Sequence, residues 1–223
     1  MKNLKRELKI TEDGSHTLFV PDLNEHYHST HGAIQEAMHV YINAGFNECN
    51  QNPIHILEIG FGTGLNCLLT LLEAQKQNRE VVYHSLELYP IKEEHIKHLN
   101  YSEQIEGANE KLFLELHKAK WNQEVKITDR FTLNKLLADL RKVVLPEKYN
   151  LIYFDAFAPD IQPDLWTQDI FEKLHQHMLP DGILTTYSTK GIIKQALRAA
   201  SFVVKRLPGP PGKRQMLRAK KLQ

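Results

Sequence analysis

Apolar positions along the chain change period several times, and these changes divide it into short strands and helices. Ile54, Ile56, Leu57 and Ile59 form a β-prone run that breaks into glycines at alternate positions, Gly60, Gly62 and Gly64. Leu65, Leu68, Leu69 and Leu72 then recur at helical spacing, marking one face of a helix. Beyond them the pattern predicts strands at 54–59, 81–86, 125–128, 149–154, 183–187 and 202–207. Helices are predicted at 65–75, 91–99, 133–143, 166–177 and 192–200, with one more helix and a loop between 101 and 122. Such alternation implies right-handed crossovers and a mostly parallel sheet. A last run, 215–220, follows the turn Pro208-Gly209-Pro210-Pro211-Gly212 too closely for a helical crossover. It is expected to return antiparallel, as the reversed last strand of a seven-stranded α/β sheet.

Upstream, residues 4–20 read as a β-hairpin around Asp13-Gly14, followed by a polar and aromatic loop from Asn24 to Gly32. A helix is predicted at 33–46, with Ile34, Ala37, Met38, Tyr41 and Ile42 as a core-packing stripe. The organisation expected is one domain over 1–223, a hairpin-and-helix cap (1–50) on a Rossmann-like core (51–223). No apolar run nears the ~20 residues of a membrane span, and the charged start Met1–Lys9 lacks the apolar core of a leader peptide. Cys49 and Cys67 form no C-x-x-C, so neither a disulfide framework nor a zinc site is indicated, and a cytoplasmic location is expected. His26, His28 and His31 have no carboxylate or cysteine at ligand spacing, so no metal is expected.

The net charge of +1 hides an asymmetry. From Gly182 onward there is no Asp or Glu, but there are Lys190, Lys194, Arg198, Lys205, Arg206, Lys213, Arg214, Arg218, Lys220 and Lys221. A block of one sign suggests a polyanionic partner, with a solvated helix face and basic tail as the alternative.

Strand, glycine turn and helix start together offer backbone N–H groups to a nucleotide-like ligand. A dinucleotide fingerprint would place its third glycine at Leu65, which disfavours an NAD-dependent oxidoreductase. The G-x-G-x-G preceded by Glu58 instead resembles motif I of class I S-adenosylmethionine-dependent methyltransferases. Three predicted strands end in acids. Glu87 is placed to hold ribose hydroxyls, Asp129 to accept from an adenine amino group, and Asp155 lies in Tyr153-Phe154-Asp155-Ala156-Phe157-Ala158-Pro159. One acid after a strand is an ordinary turn opener, but three beside the glycine turn point to a nucleoside cofactor.

Longer motifs narrow the family. They are Tyr27-His28-Ser29 with Gly32, Ala33 and Glu36; the glycine turn through Asn66; and Ser85-Leu86-Glu87-Leu88-Tyr89-Pro90. They continue in Asp155–Pro159, Pro163–Gln168, Pro180-Asp181-Gly182 and Lys213–Leu217. Together they resemble the methyltransferase domain of the bacterial tRNA-modifying protein MnmC, called MnmD when it stands alone. The resemblance implies methyl transfer from S-adenosyl-L-methionine to the exocyclic amine of 5-aminomethyl(-2-thio)uridine at tRNA wobble position 34. The fused form carries a flavin-dependent oxidase domain, which is not expected here. A separate enzyme would then supply the aminomethyl precursor.

On this reading Glu58, Gly60, Gly62, Gly64, Asn66, Glu87, Asp129, Asp155 and Phe157 hold the cofactor. Asp155, with Tyr27, acts on the amine, first by orienting it and second as a base. Tyr27, Ser29 and Glu36 cover the site, and Phe157 or Trp166 stacks on a flipped-out uracil, with a core aromatic at a helix start as the alternative for Trp166. Lys190, Lys213 and Arg214, extended by Lys194 and Arg198, face phosphates of the anticodon stem-loop. Phe61 and Leu65 pack beneath the cofactor. The alternatives are a small-molecule N-methyltransferase, an aminopropyltransferase, or a non-catalytic RNA-binding module.

Overall fold

The computed structural model describes residues 4–222; Met1–Asn3, at the start of the charged stretch, and Gln223 lie outside it. Strands β1 (Glu7–Ile10), β2 (His16–Val20) and β3 (Glu25–His26) form a small antiparallel sheet. Its first turn follows from local chemistry. Asp13 Oδ1 accepts from Thr11 Oγ1 at 2.7 Å and from the Ser15 N–H at 3.1 Å, which closes the turn onto Gly14. The predicted 33–46 helix is shorter: α1 (Ala33–Ala37) runs directly into a π-helical turn, Met38–Asn43. Such widened turns re-aim side chains and recur at functional sites.

The main sheet begins with β4 (Ile54–Ile59), α2 (Leu65–Lys76) and β5 (Val81–Glu87). Three helices follow, α3 (Glu93–Ile96), α4 (Tyr101–Gln104) and α5 (Glu110–Lys118), and then a hairpin of β6 (Glu124–Thr128) and β7 (Phe131–Leu137). The chain continues through β8 (Tyr149–Phe154), α6 (Gln168–Gln176), β9 (Met178–Thr186), α7 (Gly191–Ala199), β10 (Val203–Pro208) and β11 (Gln215–Lys220). Spatial order is β10-β11-β9-β8-β4-β5-β7-β6, with β7, β5, β4, β8 and β9 mutually parallel. The last strand, β11, runs antiparallel to β9, as expected. The chain leaves β4 toward β5 on one side and returns to β8 on the other. That reversal opens a crevice at the carboxyl end of β4, the usual ligand position in such sheets.

A second departure from expectation lies in the main sheet. Residues 131–137 form strand β7 and the chain beyond them only turns, so the helix expected at 133–143 is absent and the sheet has eight strands. Leu133, Leu136, Leu137 and Leu140 fall at helical spacing, but the inward positions are Phe131, Leu133 and Lys135. Lys135 is only 1 % exposed, with its ammonium over the Trp121 ring at 4.7 Å and donating to the His117 carbonyl at 2.5 Å. A charged residue at an interior position hides the strand's alternation.

Both faces of the sheet are covered. Ile56, Tyr83, Leu133 and Tyr153 pack with α2 and the π-helical turn on one side. Leu57, Ile152, Phe154 and Leu184 pack with α6 and α7 on the other. Phe154, fully buried, meets Trp166 at 4.7 Å and Phe171 at 5.1 Å between ring centroids; truncating it to Ala is expected to cost about 3–5 kcal/mol.

Candidate active site

A cavity of about 450 Å³ opens at the carboxyl ends of β4, β5, β7 and β8, roofed by Tyr27–Thr30 of the N-terminal segment. Its floor is the turn after β4. A Cβ on Gly60 (φ +96°) would stand 2.7 Å from the Asp155 carbonyl oxygen, and one on Gly62 (φ +49°) 3.2 Å from the Tyr27 ring. Both positions therefore require glycine, and bare main chain faces the cavity. The Glu87 carboxylate is pinned at the end of β5, accepting from the Gly62 N–H at 3.1 Å and the Tyr89 N–H at 2.7 Å. The roof is held by Arg6, whose Nε donates to Tyr27 Oη at 2.9 Å, while the Tyr27 ring meets Phe157 edge-on at 5.0 Å.

Asp155, one residue past β8, is the most constrained side chain of the cavity. Oδ1 accepts from Tyr41 Oη at 2.5 Å and Oδ2 from Asn66 Nδ2 at 2.8 Å. Burial pushes its carboxyl up to about 6, and the two hydrogen bonds oppose that rise. Each oxygen keeps a lone pair for a further donor. Beneath it Glu58 is fully buried, with Oε2 accepting from Ser85 Oγ at 2.6 Å. Burial raises the Glu58 carboxyl to about 8, so it is mostly protonated at neutral pH. Neither Glu58 Oε1 nor Asn66 Oδ1 has a partner among the described residues, and the two side chains lie within hydrogen-bonding reach.

The cavity continues past Asp155 to Ser29, Glu36, Tyr187 and Lys213. Glu36 Oε2 accepts from the Ser29 N–H at 2.9 Å, and Oε1 accepts from the Lys213 ammonium. That ammonium also stands 4.3 Å from the centre of the Tyr187 ring. At the opposite end, Ala138 N–H bonds the Glu87 carbonyl at 3.2 Å and brings Asp139 beside Glu87. Arg141 Nε and Nη2 donate to Asp139 at 2.9 and 2.7 Å, and Nη1 donates to Asp164 at 3.0 Å across the cavity mouth. The Arg141 hydrogen bond holds the Asp139 carboxyl below its usual range.

Of the residues predicted from sequence, Tyr27, Ser29, Gly60, Gly62, Asn66, Glu87, Asp155, Phe157 and Lys213 line this one cavity. Others require correction. Asp129 lies in the β6–β7 turn at the amino ends of the parallel strands, 98 % exposed at its side chain and paired with Lys126. The acid at the carboxyl end of β7, lining the cavity, is Asp139, which the helical spacing of Leu133, Leu136, Leu137 and Leu140 hides in the sequence. Trp166 is a core residue, 4 % exposed; its Nε1 donates to the Phe157 carbonyl at 2.9 Å, so it braces the Asp155–Pro159 loop and presents no face to a base. Glu58 lies below the floor, and Gly64 turns toward His117 and Phe61, so neither lines the cavity.

Lys213 points inward to Glu36 rather than outward to phosphates. Lys190 is paired with Asp160, whereas Arg214 is exposed. Tyr41, expected in the core, and Arg6, which no motif marks, both bond cavity residues. Tyr41 sits on a helical apolar stripe, and no local signal separates it from its core neighbours.

Comparison with known proteins agrees with this geometry. Residues 100–222 match a family described as S-adenosyl-L-methionine-dependent methyltransferase. The chain is 28% identical over 229 residues to the tRNA 5-methylaminomethyl-2-thiouridine biosynthesis bifunctional protein MnmC of Burkholderia multivorans, covering 94% of this chain and 34% of that one. It is 30% identical over 216 residues to an uncharacterised protein of Methanocaldococcus jannaschii, covering 92% and 57%. The chain thus spans about a third of the MnmC relative's length. Among solved structures, MNMC2 from Aquifex aeolicus superposes with a TM-score of 0.80 at 25% identity, over all of this chain and 72% of that one. A spermidine synthase from Thermotoga maritima shares the fold at a TM-score of 0.55 and 15% identity, over 98% of this chain and 73% of that one.

The cofactor follows from the same residues. A bare glycine floor, a pinned carboxylate for ribose hydroxyls and an acid beside it fit the nucleoside of S-adenosylmethionine. With a glycine cradle that any Cβ would fill, and a match over more than half its length, the chain belongs to the S-adenosyl-L-methionine-dependent methyltransferase family, and within it is similar to MnmC.

Proposed function

We propose that this chain methylates tRNA at wobble position 34, converting 5-aminomethyl(-2-thio)uridine to its 5-methylaminomethyl form. The observation that carries the reading is Asp155, clamped by Tyr41 and Asn66 where the cofactor end of the cavity meets its inner end. S-adenosylmethionine supplies a methyl group made electrophilic by its sulfonium. Gly60, Gly62, Glu87 and Asp139 would hold its nucleoside, and Tyr27 and Phe157 would close over it.

The acceptor amine must arrive neutral, because its lone pair forms the new N–C bond as the S–C bond breaks toward sulfur. Asp155, ionised above about pH 6, accepts one N–H of the amine and aims that lone pair. Alignment of this kind is worth several kcal/mol, roughly 7 or more in well-oriented cases. A carboxyl with a pKa of about 6 is a weak base toward an alkylammonium, so Asp155 orients first and takes a proton second. The product proton leaves for water.

An RNA acceptor is supported by the basic edge of the sheet. Lys194 and Arg198 on α7, Arg206 on β10 and Arg214 in the last turn are all at least partly exposed, and repulsion from Arg206 lowers the Lys194 pKa. A small substrate needs no such track. The fold is shared with an aminopropyltransferase, so the test must separate the two group transfers. Purified protein, S-adenosylmethionine and tRNA bearing 5-aminomethyluridine are incubated and the nucleosides analysed by mass spectrometry. A gain of one methyl group on that nucleoside is expected; an unchanged nucleoside refutes the proposal.

A further inference from the structure

We propose that Lys213, by neutralising Glu36 beside Asp155, keeps the acceptor amine in its uncharged, nucleophilic form. The inference rests on the reading above that the acceptor is an amine.

The inner end of the cavity contains two carboxyl groups, Asp155 and Glu36, on separate elements. A site with two free carboxylates binds an alkylammonium and holds it charged. An alkylammonium has no lone pair, so such a site binds its substrate in the unreactive state. Lys213 removes one of these charges. Its ammonium bonds Glu36 directly, and the pair is well shielded, with side chains 33% and 9% exposed. The Ser29 N–H occupies the other Glu36 oxygen. Asp155 keeps free lone pairs, since Tyr41 and Asn66 each take one site on it. The inner end thus offers one acceptor carboxylate, next to a cation that disfavours a second cation.

The other titratable groups facing this end do not supply that charge. From the roof, His28 bonds Thr63 Oγ1 at 2.6 Å, and burial lowers its pKa to about 4, so it is neutral. Tyr187, after β9, donates to the Ala156 carbonyl at 2.9 Å, and Tyr41 donates to Asp155; both remain protonated. Glu58 below is mostly neutral at pH 7, and Asp13 and Glu25 act only at longer range. Among the described residues Lys213 is the cation that bonds Glu36, and its charge also acts on Asp155.

The experiment is the pH profile of kcat, at saturating stem-loop RNA carrying 5-aminomethyluridine, because kcat reports protonation in the bound complex. Removing a neighbouring ammonium is expected to move the rising limb, where the amine loses its proton, by about one pH unit. Lys213→Met therefore loses about tenfold at pH 7 and recovers at higher pH. Glu36→Gln, which leaves Lys213 unneutralised, moves the limb the opposite way. The double variant returns it toward wild type, and Lys213→Arg preserves it. A merely structural pair would lower activity without these opposed displacements. Coincident limbs in all variants, a Lys213→Met loss that no pH restores, or a weaker salt dependence of RNA affinity in Lys213→Met would each overturn the inference while leaving the RNA methyltransferase reading intact. No transfer to this RNA by the wild-type protein at any pH would overturn both.

Discussion

Replacing Glu58 with Gln is expected to stabilise the protein at neutral pH. Glu58 is fully buried, one carboxyl oxygen has no partner among the described residues, and burial raises its pKa from 4.5 to about 8. Below pH 4.5 the carboxyl is protonated in the folded and the unfolded chain alike, and it costs nothing. As pH rises from 4.5 toward 8, the unfolded chain ionises while the folded chain keeps its proton, so stability falls; above about 8 the loss levels off. Each pH unit in that window costs about 1.4 kcal/mol, so at pH 7 the penalty is about 3 kcal/mol. Gln is near-isosteric and neutral in both states. Its oxygen can still accept from Ser85 Oγ, and its NH₂ can serve Asn66 Oδ1. Urea denaturation of the two proteins at several pH values cancels every group they share. The stability gap should be small near pH 4.5 and grow by about 1.4 kcal/mol per pH unit up to pH 7. A gap independent of pH, or one that narrows as pH rises, would mean that Glu58 is ionised in the folded protein and would refute the argument.

Other outcomes follow from the site. Asp155→Asn should lower kcat by about a hundredfold or more while donor affinity by calorimetry changes little, because the amide keeps the shape but no longer accepts the amine N–H in the same way; equal losses in both would make Asp155 a cofactor ligand only. In the wild type, kcat/KM should fall below about pH 6 as Asp155 is protonated, and Tyr41→Phe, by removing a hydrogen bond that lowers this pKa, should move that acid limb upward. Asp139→Ala should weaken donor binding by about tenfold or more, whereas Asp129→Ala should leave it unchanged, and the reverse order would restore the sequence-based assignment. Affinity for tRNA should fall steeply with salt, and Arg206→Ala should flatten the slope by about one contact; a flat wild-type response would remove the phosphate track.

The sequence alone determined the frame. Local periodicity records which side of an element meets the core, so the alternating elements, the glycine turn, the reversed last strand and the methyltransferase family were all legible in it. Where an interior position carried a charge, as at Lys135, that record broke; β7 was lost, and Asp139 with it. Only the tertiary structure decided which side chains meet. Tyr41 and Asp155 are 114 residues apart, Glu36 and Lys213 177 apart, and nothing local distinguishes a tyrosine that packs from one that donates to a buried carboxylate. A block of basic residues likewise looked uniformly outward in sequence. Chain return through the last hairpin turned Lys213 inward, because a buried carboxylate there needed a partner and its neighbour Arg214 had water.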